Sequence, residues 1–449
     1  MSSAKEILAE KSLKYHQYPA PGKLSIIPSK PCVTQEDLSL AYTPGVAVPC
    51  LEIHKEKEKS FLYTNRSNCV AVVSDGTAVL GLGNIGPEAG MPVMEGKAVL
   101  FKRFADIDAV ALCLSGVHKE DGRTDPEKLI EVVKTFEPSF GGINLEDIGA
   151  PACFQVEPAL KKAMGIPVFH DDQHGTAIIS LAGILNALEI VGKKIGECKF
   201  VMNGAGAAGL ACAEYYVSAG AKRENFIICD SKGVIHSGRT DLNERKKRFA
   251  RPLACRTLAE AMKGADVFMG ASVANAVTED MVRSMAKGAV VFAMANPEPE
   301  IYPDAALRAG AAVAGTGRSD YPNQVNNVLG FPGIFRGALD TRASDINEAM
   351  KLAASMALAE IVRVKMPDDI REMLKKAYPA DAASGVFEGE IPLKNTFVIP
   401  KPFDPRVVPH VARKVAEAAM KSGVAQIEIE DLDAYEASVA ARIAKSNAR

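Results

Sequence analysis

The stretch from Lys199 to Asp230 combines a short apolar strand pattern, a glycine-rich turn and a second strand pattern. Its first part reads KFVMNGAGAAG, in which residues 200–202 are followed closely by the spacing G-x-G-x-x-G. Its last part reads NFIICD, which places Asp230 21 residues after Gly209. A lone G-x-G-x-x-G is weak, but one that lies between a strand and a helix, with an acid at this distance, is typical of a dinucleotide-binding unit.

The glycine-rich turn is predicted to hold a pyrophosphate. Glycine permits a tight turn and lets the backbone approach phosphate oxygens at the N-terminus of the following helix. The alternative is a tight turn that binds no ligand. The predicted cofactor contacts lie in this turn and at the end of the next strand, with one more after a later strand: Gly204, Ala205, Gly206, Ala207, Ala208, Gly209, Asp230, Ser231, Lys232 and Asn296.

Strand and helix patterns alternate on both sides of this unit. The apolar runs CVAVVS and AVALCL precede it, and ADVFMG, AVVFAMA and AAVAGTG follow it. Strands that end in small or polar residues are typical of open parallel sheets, which bind ligands at their carboxyl ends. We therefore predict an α/β protein. An N-terminal α/β domain is followed by a doubly wound Rossmann-type domain with a helical C-terminal segment.

Two pairs of adjacent acids each follow a short apolar run. Glu146-Asp147 follows GINL, and Asp171-Asp172 follows closely on the run VF, so each pair is expected near the carboxyl end of a strand. Mg²⁺ prefers one or two carboxylates together with water and substrate oxygens. Acid pairs after strands are often solvated turns, but two pairs beside a dinucleotide-binding unit favour a shared metal site. The histidines of HDDQH leave zinc open, although the HExxH pattern is missing.

Four further polar residues suit a site, and each also has a plain structural interpretation. Lys97 lies in an apolar helix pattern, on its first predicted turn, where burial could lower its pKa and make it a base. A solvated surface charge is the alternative. Tyr42 precedes the turn sequence TPG, and its local sequence favours simple packing. Asn296 ends a strand pattern and Asn327 lies in a loop, where asparagines are usually turn residues.

The composition argues against several classes of protein. A chain of 449 residues that is 47% hydrophobic, with a net charge of −2, suits two or three globular domains without a nucleic-acid or membrane partner. The N-terminal sequence MSSAKEILAEKS has no apolar signal region. The longest apolar stretch, residues 177–191, is predicted to be a buried helix. Nine cysteines without a C-x-x-C pair fit a reducing cytoplasm.

Taken together, these segments resemble the malic enzymes, in their short bacterial NADP-dependent form, over nearly the whole chain. The resemblance rests on AYTPGVA, SDGTAVLGLGNIG, GMPVMEGKAVLFK, NLEDI, FHDDQHGTA, GAGAAG, ANPEPEI and NNVLGFPGIFRGAL. It implies a catalytic domain over residues 1–165, an NAD(P)-binding domain over 166–400 and a helical extension over 401–449. It also implies oxidative decarboxylation of L-malate to pyruvate and CO₂ with NADP or NAD, and decarboxylation of oxaloacetate.

The resemblance assigns roles to the residues that match the family's motifs. The general acid of the family matches Tyr42, and the general base matches Lys97. The carboxylates that hold Mg²⁺ or Mn²⁺ match Glu146, Asp147 and Asp172. In this scheme the lysine removes the proton of the malate hydroxyl, and the tyrosine protonates the enolate of pyruvate.

The resemblance also implies which residues contact the substrate. Lys97, Asn296 and Asn327 match contacts to malate or nicotinamide, and Asp171 lies beside the metal ligands. One position departs from the larger malic enzymes, whose DG-x-x-x-LGLG segment carries an arginine that grips a malate carboxylate. Ala78 stands at that position here, and Lys102 and Arg103 are the candidates for its replacement.

Two other functions remain open at this point. The chain could act mainly as an oxaloacetate decarboxylase, or it could be a non-catalytic, nucleotide-responsive regulatory protein on the same fold. The presence of Tyr42, Lys97 and three metal acids speaks against the regulatory protein. The sequence further predicts a cytoplasmic homo-oligomer, a dimer or larger, whose partner is the small molecule malate.

The choice of cofactor depends on charges after the second strand. Asp230 alone favours NAD, because an acid accepts a hydrogen bond from the ribose 2′-hydroxyl and repels a 2′-phosphate. Lys232 follows it closely, and Lys246, Lys247 and Arg248 lie about a helix length away. Similar lysines accompany NADP use in the family. We predict that NADP is preferred.

Overall fold

The computed structural model describes residues 4–448 and contains two sheets, one after the other along the chain. The first sheet is parallel, with the order β2-β1-β3-β4, and its strands are β1 (Cys69–Ser74), β2 (Asp108–Cys113), β3 (Gly142–Leu145) and β4 (Val168–His170). The second has the order β10-β9-β8-β5-β6-β7, and its strands are β5 (Phe200–Asn203), β6 (Phe226–Asp230), β7 (Gly233–Val234), β8 (Val267–Gly270), β9 (Val290–Ala293) and β10 (Val313–Thr316). Its short edge strand β7 is antiparallel.

Helices connect these strands and cover both sheets. Their bounds are α1 (Ala4–Gln17), α2 (Gln35–Ala41), α3 (Ala47–Lys55), α4 (Ser60–Tyr63), α5 (Pro87–Ala105), α6 (Pro126–Lys134), α7 (Cys153–Ala163), α8 (Asp171–Val191), α9 (Ala207–Ser218), α10 (Glu244–Lys247), α11 (Leu258–Met262), α12 (Glu279–Arg283), α13 (Pro303–Arg308), α14 (Phe331–Asp340), α15 (Glu348–Ile361), α16 (Asp368–Ala377), α17 (Pro379–Ala383), α18 (Val407–Lys421) and α19 (Leu432–Asn447). This architecture confirms the predicted α/β class.

Strands β1, β3 and β4 of the first sheet are fully buried, whereas the edge strand β2 is only partly buried. Val70 and Val72 on β1 pack with Phe101 of α5, whereas Ala71 and Val73 pack on the opposite face with α6 and α7. All six residues of β1 are buried. An apolar run without alternation is expected for a parallel strand that helices cover on both sides. The carboxyl ends of these strands therefore lie at one edge, where polar residues can meet.

The chain returns to the first sheet after it completes the second. Phe331 and Phe335 of α14 pack against Phe101, with ring centroids 4.6 and 5.2 Å apart. On α19, Arg442 Nε donates to Asp106 Oδ2 at 2.9 Å. The C-terminal helices thus help to cover the domain at the start of the chain. The domain boundaries at residues 165 and 400 stay a prediction.

Two helices differ from their sequence predictions in extent. Helix α5 begins at Pro87, so Lys97 lies in its middle and the prediction of the first turn was wrong. The apolar stretch 177–191 is part of α8, which has 21 residues. By length and hydropathy alone α8 could cross a membrane, but 67% of its apolar window is buried inside the protein. The prediction of a buried core helix is confirmed.

Residues 24–55 form an N-terminal arm that adds little to the core. Helices α2 and α3 contain no buried residue. Several large apolar side chains of the arm are exposed: Leu24, Ile26, Ile27, Val33, Leu38, Leu40, Val48 and Leu51. Immediately before the arm, the Lys23 amide donates to Glu95 Oε2 at 3.1 Å and so ties the chain to α5. Such an apolar surface is typical of a contact with another protein chain.

Candidate active site

Four acids meet where β3 and β4 end. Glu146 and Asp147 follow β3 directly, and Asp171 and Asp172 form the start of α8 directly after β4. Because β3 and β4 are neighbours in a parallel sheet, their carboxyl ends lie side by side. Oxygen atoms from Glu146, Asp147 and Asp172 lie within 4.8 Å of one another. The pattern that predicted two acid-bearing strand ends therefore places these acids correctly in space.

Asp147 is held in an unusual backbone conformation. Its φ is +55°, a left-handed value that few residues other than glycine adopt. The Ala78 amide donates to the Asp147 carbonyl at 2.9 Å, and the Asp147 amide donates to Asp172 Oδ2 at 2.7 Å. Its own Oδ2 is buried and has no hydrogen-bond partner within residues 4–448. Strained residues with orphaned polar atoms are concentrated at functional sites.

Lys97 reaches this cluster from α5. Its Nζ lies 2.6 Å from Asp171 Oδ2 and 3.0 Å from Glu146 Oε1, and its side chain is only 10% exposed. Burial alone would lower the pKa of Lys97, but the charges of Asp171 and Glu146 outweigh burial and raise it. The prediction of a lowered pKa was therefore wrong for this arrangement. The surface-charge alternative is also excluded.

The four acids of this cluster carry more negative charge than the one nearby lysine can balance. Burial raises the pKa of Glu146 well above its usual value, and it also raises that of Asp171. Burial and the neighbouring charge of Asp172 raise the pKa of Asp147 to about 7. One lysine thus faces four carboxyl groups. A divalent cation would supply the missing charge and a partner for the orphaned oxygen of Asp147, so this cluster fits the implied metal.

Asn327 is brought to the same cluster. Thr176 Oγ1, on α8, donates to Asn327 Oδ1 at 3.3 Å. A Cβ atom at Gly175 would lie 2.4 Å from Asp171 Oδ1 and 2.6 Å from the Asn327 side-chain carbon. Glycine at this position therefore lets the Asn327 amide approach α8 beside the Asp171 carboxylate. Neither the sequence pattern nor the resemblance singled out Gly175.

Asn296 lies further out, at the carboxyl end of β9. It is exposed, and it stands between the loops that follow β1 and β10. A Cβ atom at Gly81 would be 3.3 Å from its carbonyl oxygen, and one at Gly317 would be 3.0 Å from its Oδ1. Asn296 thus lies where the loops that follow β1 and β10 approach each other, and its contact with substrate or nicotinamide stays a prediction. No contact links it to the acid cluster.

Tyr42 is not brought together with these residues within one chain. It ends α2 on the N-terminal arm and is 71% exposed. Its only hydrogen bonds inside the described chain are made by its backbone, to Leu38 and Val46. The prediction of simple packing at a turn is therefore not met either. An exposed tyrosine on an uncovered arm needs another surface to act on.

The candidates for the missing arginine do not reach the site. Lys102 Nζ pairs with Asp106 at 2.6 Å and Asp108 at 3.0 Å, at the amino end of β2. The acid cluster lies at the carboxyl ends of β3 and β4. Arg103 is exposed at the same end of α5 as Lys102. Both suggestions were wrong. Lys102 and Arg103 lie five and six residues after Lys97 on α5, which places them about 8 Å from Lys97 along the helix axis.

The two histidines of HDDQH do not share a metal position. His174 Nε2 lies 2.9 Å from both carboxylate oxygens of Glu157. His170 is buried on β4; its ring nitrogens have no hydrogen-bond partner in the described structure, and its Nδ1 lies 3.9 Å from Asp172 Oδ2. The group of potential ligands that does converge consists of acids alone. The zinc alternative therefore has no support.

The glycine-rich turn leads from β5 to α9 as predicted. A Cβ atom at Gly204 would lie 2.1 Å from the Ala271 carbonyl oxygen, and one at Gly209 would lie 1.9 Å from the Gly204 carbonyl oxygen. The first and third glycines are thus required by close backbone packing. A Cβ atom added at Gly206 would have no other atom within 4 Å. Gly206 directly precedes Ala207, the first residue of α9. Open space at a helix N-terminus suits a phosphate.

Asp230, at the end of β6, is already neutralised by two basic residues. Arg239 donates to both of its carboxylate oxygens, at 2.7 and 2.9 Å, and Lys246 Nζ donates at 2.7 Å. Burial works against the charged form, but these hydrogen bonds lower the pKa of Asp230 to about 2. No sequence pattern pointed to Arg239. Lys232 turns away to Asp241, at 2.8 Å.

The sequence matches two domain models of a single family. The malic enzyme N-terminal domain matches residues 21–161, and the malic enzyme NAD binding domain matches residues 173–378. The chain belongs to the malic enzyme family. This confirms the resemblance drawn from the motifs, and it gives the glycine-rich turn its place in the NAD-binding domain of that family.

Curated relatives and a solved structure are similar in sequence to this chain over nearly its whole length. It is 52% identical to the NADP-dependent malic enzyme of Haemophilus influenzae over 96% of its length, but spans only 55% of that relative. It is 51% identical to the NADP-dependent malic enzyme of Halomonas elongata, covering 92% of this chain and 94% of the relative. The crystal structure of a malic enzyme from Pyrococcus horikoshii is 41% identical, with a TM-score of 0.84, over 98% and 96% of the two chains. The chain spans about half the length of several curated relatives.

Proposed function

We propose that this chain oxidises L-malate to pyruvate and CO₂ with reduction of NADP, in the presence of Mg²⁺ or Mn²⁺, and that it also decarboxylates oxaloacetate. The observation that carries this proposal is the convergence of Lys97 with buried acids at one strand edge, in a member of the malic enzyme family. Absorbance of reduced nicotinamide with malate and Mn²⁺ tests it directly. If the protein consumes oxaloacetate but does not oxidise malate, it is a decarboxylase only. If it shows neither of these activities, the regulatory protein is favoured.

The chain's own residues divide the work between proton transfers and positioning. Lys97 Nζ takes the proton of the C2 hydroxyl, and Asn327 and Asn296 orient the substrate and nicotinamide. When bound, NADP accepts the hydride and the divalent cation stabilises the negative charge that develops at the substrate oxygens. Glu146 now helps to hold the proton on Lys97. Glu146, Asp147 and Asp172 would hold the cation, and with Glu146 bound to it Lys97 would keep Asp171 as its acidic partner.

Asp172→Asn is expected to weaken Mn²⁺ binding and to lower turnover severalfold or more. A neutral amide replaces one of the three charged ligands that we assign to the cation. Titration with Mn²⁺, followed by its electron paramagnetic resonance signal, measures the affinity without any turnover. Asp108→Asn is the matched control, because Asp108 is exposed to a similar degree, 41% against 39%, at the other end of the sheet. Unchanged Mn²⁺ affinity in Asp172→Asn would remove this residue from the ligands.

We infer that NADP is preferred to NAD because Asp230 cannot repel a 2′-phosphate while Arg239 and Lys246 neutralise it. Lys232 and Lys247 are 68% and 56% exposed and pair with the surface acids Asp241 and Glu244, from which a 2′-phosphate could draw their positive charge. Lys247→Ala is expected to lower kcat/KM for NADP about tenfold and to leave NAD within about twofold, since one charge-assisted contact contributes roughly 1.4 kcal/mol.

The cofactor prediction is checked by measuring kcat/KM for both nucleotides in the wild type and in Lys232→Ala and Lys247→Ala. Lys222→Ala serves as a control, because Lys222 is exposed in the same domain and has no partner among residues 4–448. A wild type that uses NAD better than NADP would overturn the preference.

We further propose a homo-oligomer in which a second copy covers the N-terminal arm. Helices of seven and nine residues without buried side chains are unstable alone. The arm is apolar and carries Tyr42, whose proposed role requires a site with Lys97. An arm that packs on another copy would bury its apolar residues and bring Tyr42 to that copy's acid cluster. Sedimentation of the intact chain and of Ile26→Asp/Ile27→Asp tests the covering. A monomeric wild type would contradict it.

A further inference from the structure

Arg245 connects the cofactor-binding half of the protein to the half that carries the acid cluster. It lies on α10, and its guanidinium carbon is 3.8 Å from the centroid of the Phe154 ring on α7. Both side chains are half-buried, and burial lowers the pKa of Arg245. Within the described residues Arg245 makes no ion pair or hydrogen bond through its side chain. The face of the ring is therefore its main partner, in a cation–π contact.

On each side of the Arg245–Phe154 stack, the neighbouring residue is linked to one of the two proposed sites. On α10, the next residue is Lys246, which binds Asp230 at the end of β6. On α7, Phe154 follows Cys153, whose carbonyl oxygen accepts a hydrogen bond of 3.4 Å from Gln173 Nε2. Gln173 is adjacent to Asp172, one of the acids assigned to the cation. Arg245 and Phe154 are thus each linked to one of the two sites through one or two residues.

A second contact rests on the same helix. Ala207, the first residue of α9 in the glycine-rich turn, packs against the apolar cluster that contains Cys153 and Val156 of α7. The N-terminus of α9 and the Arg245 side chain of α10 thus both pack on the part of the protein that contains α7. The segment between α7 and the acids is short, since Asp147 lies only six residues before Cys153.

We infer that the Arg245–Phe154 stack is a positioning contact that couples binding of NADP to binding of the divalent cation. The inference rests on the proposed function, because it needs both ligands. When the 2′-phosphate engages α10, the stack fixes α10 against α7 and thereby the geometry of the acids. By linkage, the cation must then favour NADP by the same factor.

The test measures binding and needs no turnover. Mn²⁺ affinity is determined with and without NADPH by electron paramagnetic resonance, and NADPH affinity with and without Mn²⁺ by fluorescence. In the wild type each ligand is expected to tighten the other about fivefold or more. Phe154→Leu and Arg245→Met are expected to reduce this factor to within about twofold of unity, while each ligand alone keeps its affinity within about threefold. Arg223→Met is the control, because Arg223 also stacks on a ring, that of Phe249 at 4.8 Å, and pairs with Glu214.

The outcomes separate this inference from the proposed function. Absence of NADPH or Mn²⁺ binding in the wild type would overturn both. Binding of both ligands without coupling, or coupling that survives in Phe154→Leu, would overturn the inference alone. Loss of NADPH affinity in Arg245→Met with intact coupling in Phe154→Leu would make Arg245 a phosphate ligand. Arg245→Lys adds a further check, because an ammonium keeps the charge but loses planar stacking, and it should restore coupling only in part.

Discussion

Replacing Lys97 by alanine is expected to abolish malate oxidation, with a loss in kcat/KM of about a hundred- to ten-thousand-fold. Lys97 is the basic side chain that contacts both Glu146 and Asp171 at hydrogen-bond distance. We propose that Lys97 removes the proton of the malate hydroxyl. Loss of CO₂ from oxaloacetate does not require this proton transfer. Some Mn²⁺-dependent decarboxylation of oxaloacetate should therefore remain in Lys97→Ala.

The same variant makes a prediction about the cation. Removing the ammonium leaves buried carboxylates without their positive partner, so Mn²⁺ should bind Lys97→Ala at least as tightly as the wild type. Lys102→Ala is the matched control on the same helix, where a half-exposed lysine pairs with Asp106 and Asp108, and it should keep its activity within about twofold. Equal loss of both reactions in Lys97→Ala, with Mn²⁺ binding intact, would contradict the division of steps.

Local patterns predicted the elements that depend on neighbours in sequence. The strands and the turn at Gly204 follow from runs of apolar residues and from backbone packing that only glycine permits. The acid pairs were placed correctly because consecutive strands of a parallel sheet often lie side by side, which brings their ends together. The sequence therefore predicted both the fold class and the meeting of Glu146, Asp147 and Asp172.

Contacts between distant residues explain what the sequence did not predict. The pKa of Lys97 is set by Asp171, which lies 74 residues away, so an apolar helix pattern alone suggested the wrong direction. Arg239 neutralises Asp230 from a loop that has no recognisable pattern. The requirement for glycine at position 175 arises in part from Asn327, which approaches from a distant segment of the chain. Periodicity reports which face of an element is buried, but not what lies opposite to it.

We propose that Tyr42 acts at the site of a second copy of the chain. Mixing of variants tests this proposal. Tyr42→Phe keeps the ring and removes the phenol proton, so it should slow the exchange of pyruvate methyl hydrogens with solvent about a hundred- to ten-thousand-fold. Lys97→Ala should exchange these hydrogens faster than Tyr42→Phe, because the lysine is assigned to the other end of the reaction. Wild-type exchange in Tyr42→Phe would remove Tyr42 from the role of acid.

Mixed oligomers of Tyr42→Phe and Lys97→Ala then decide which chain supplies the tyrosine. If Tyr42 acts on a second copy, a dimer with one chain of each kind has one site with both residues and one site with neither. Random mixing makes half of the dimers mixed, so the conversion of malate to pyruvate, which needs both residues, should return to about a quarter of the wild-type rate. If Tyr42 acts within its own chain, every site lacks one residue and mixing restores nothing. Co-expression with two affinity tags isolates the mixed species, and its rate compared with the two parent variants gives the answer.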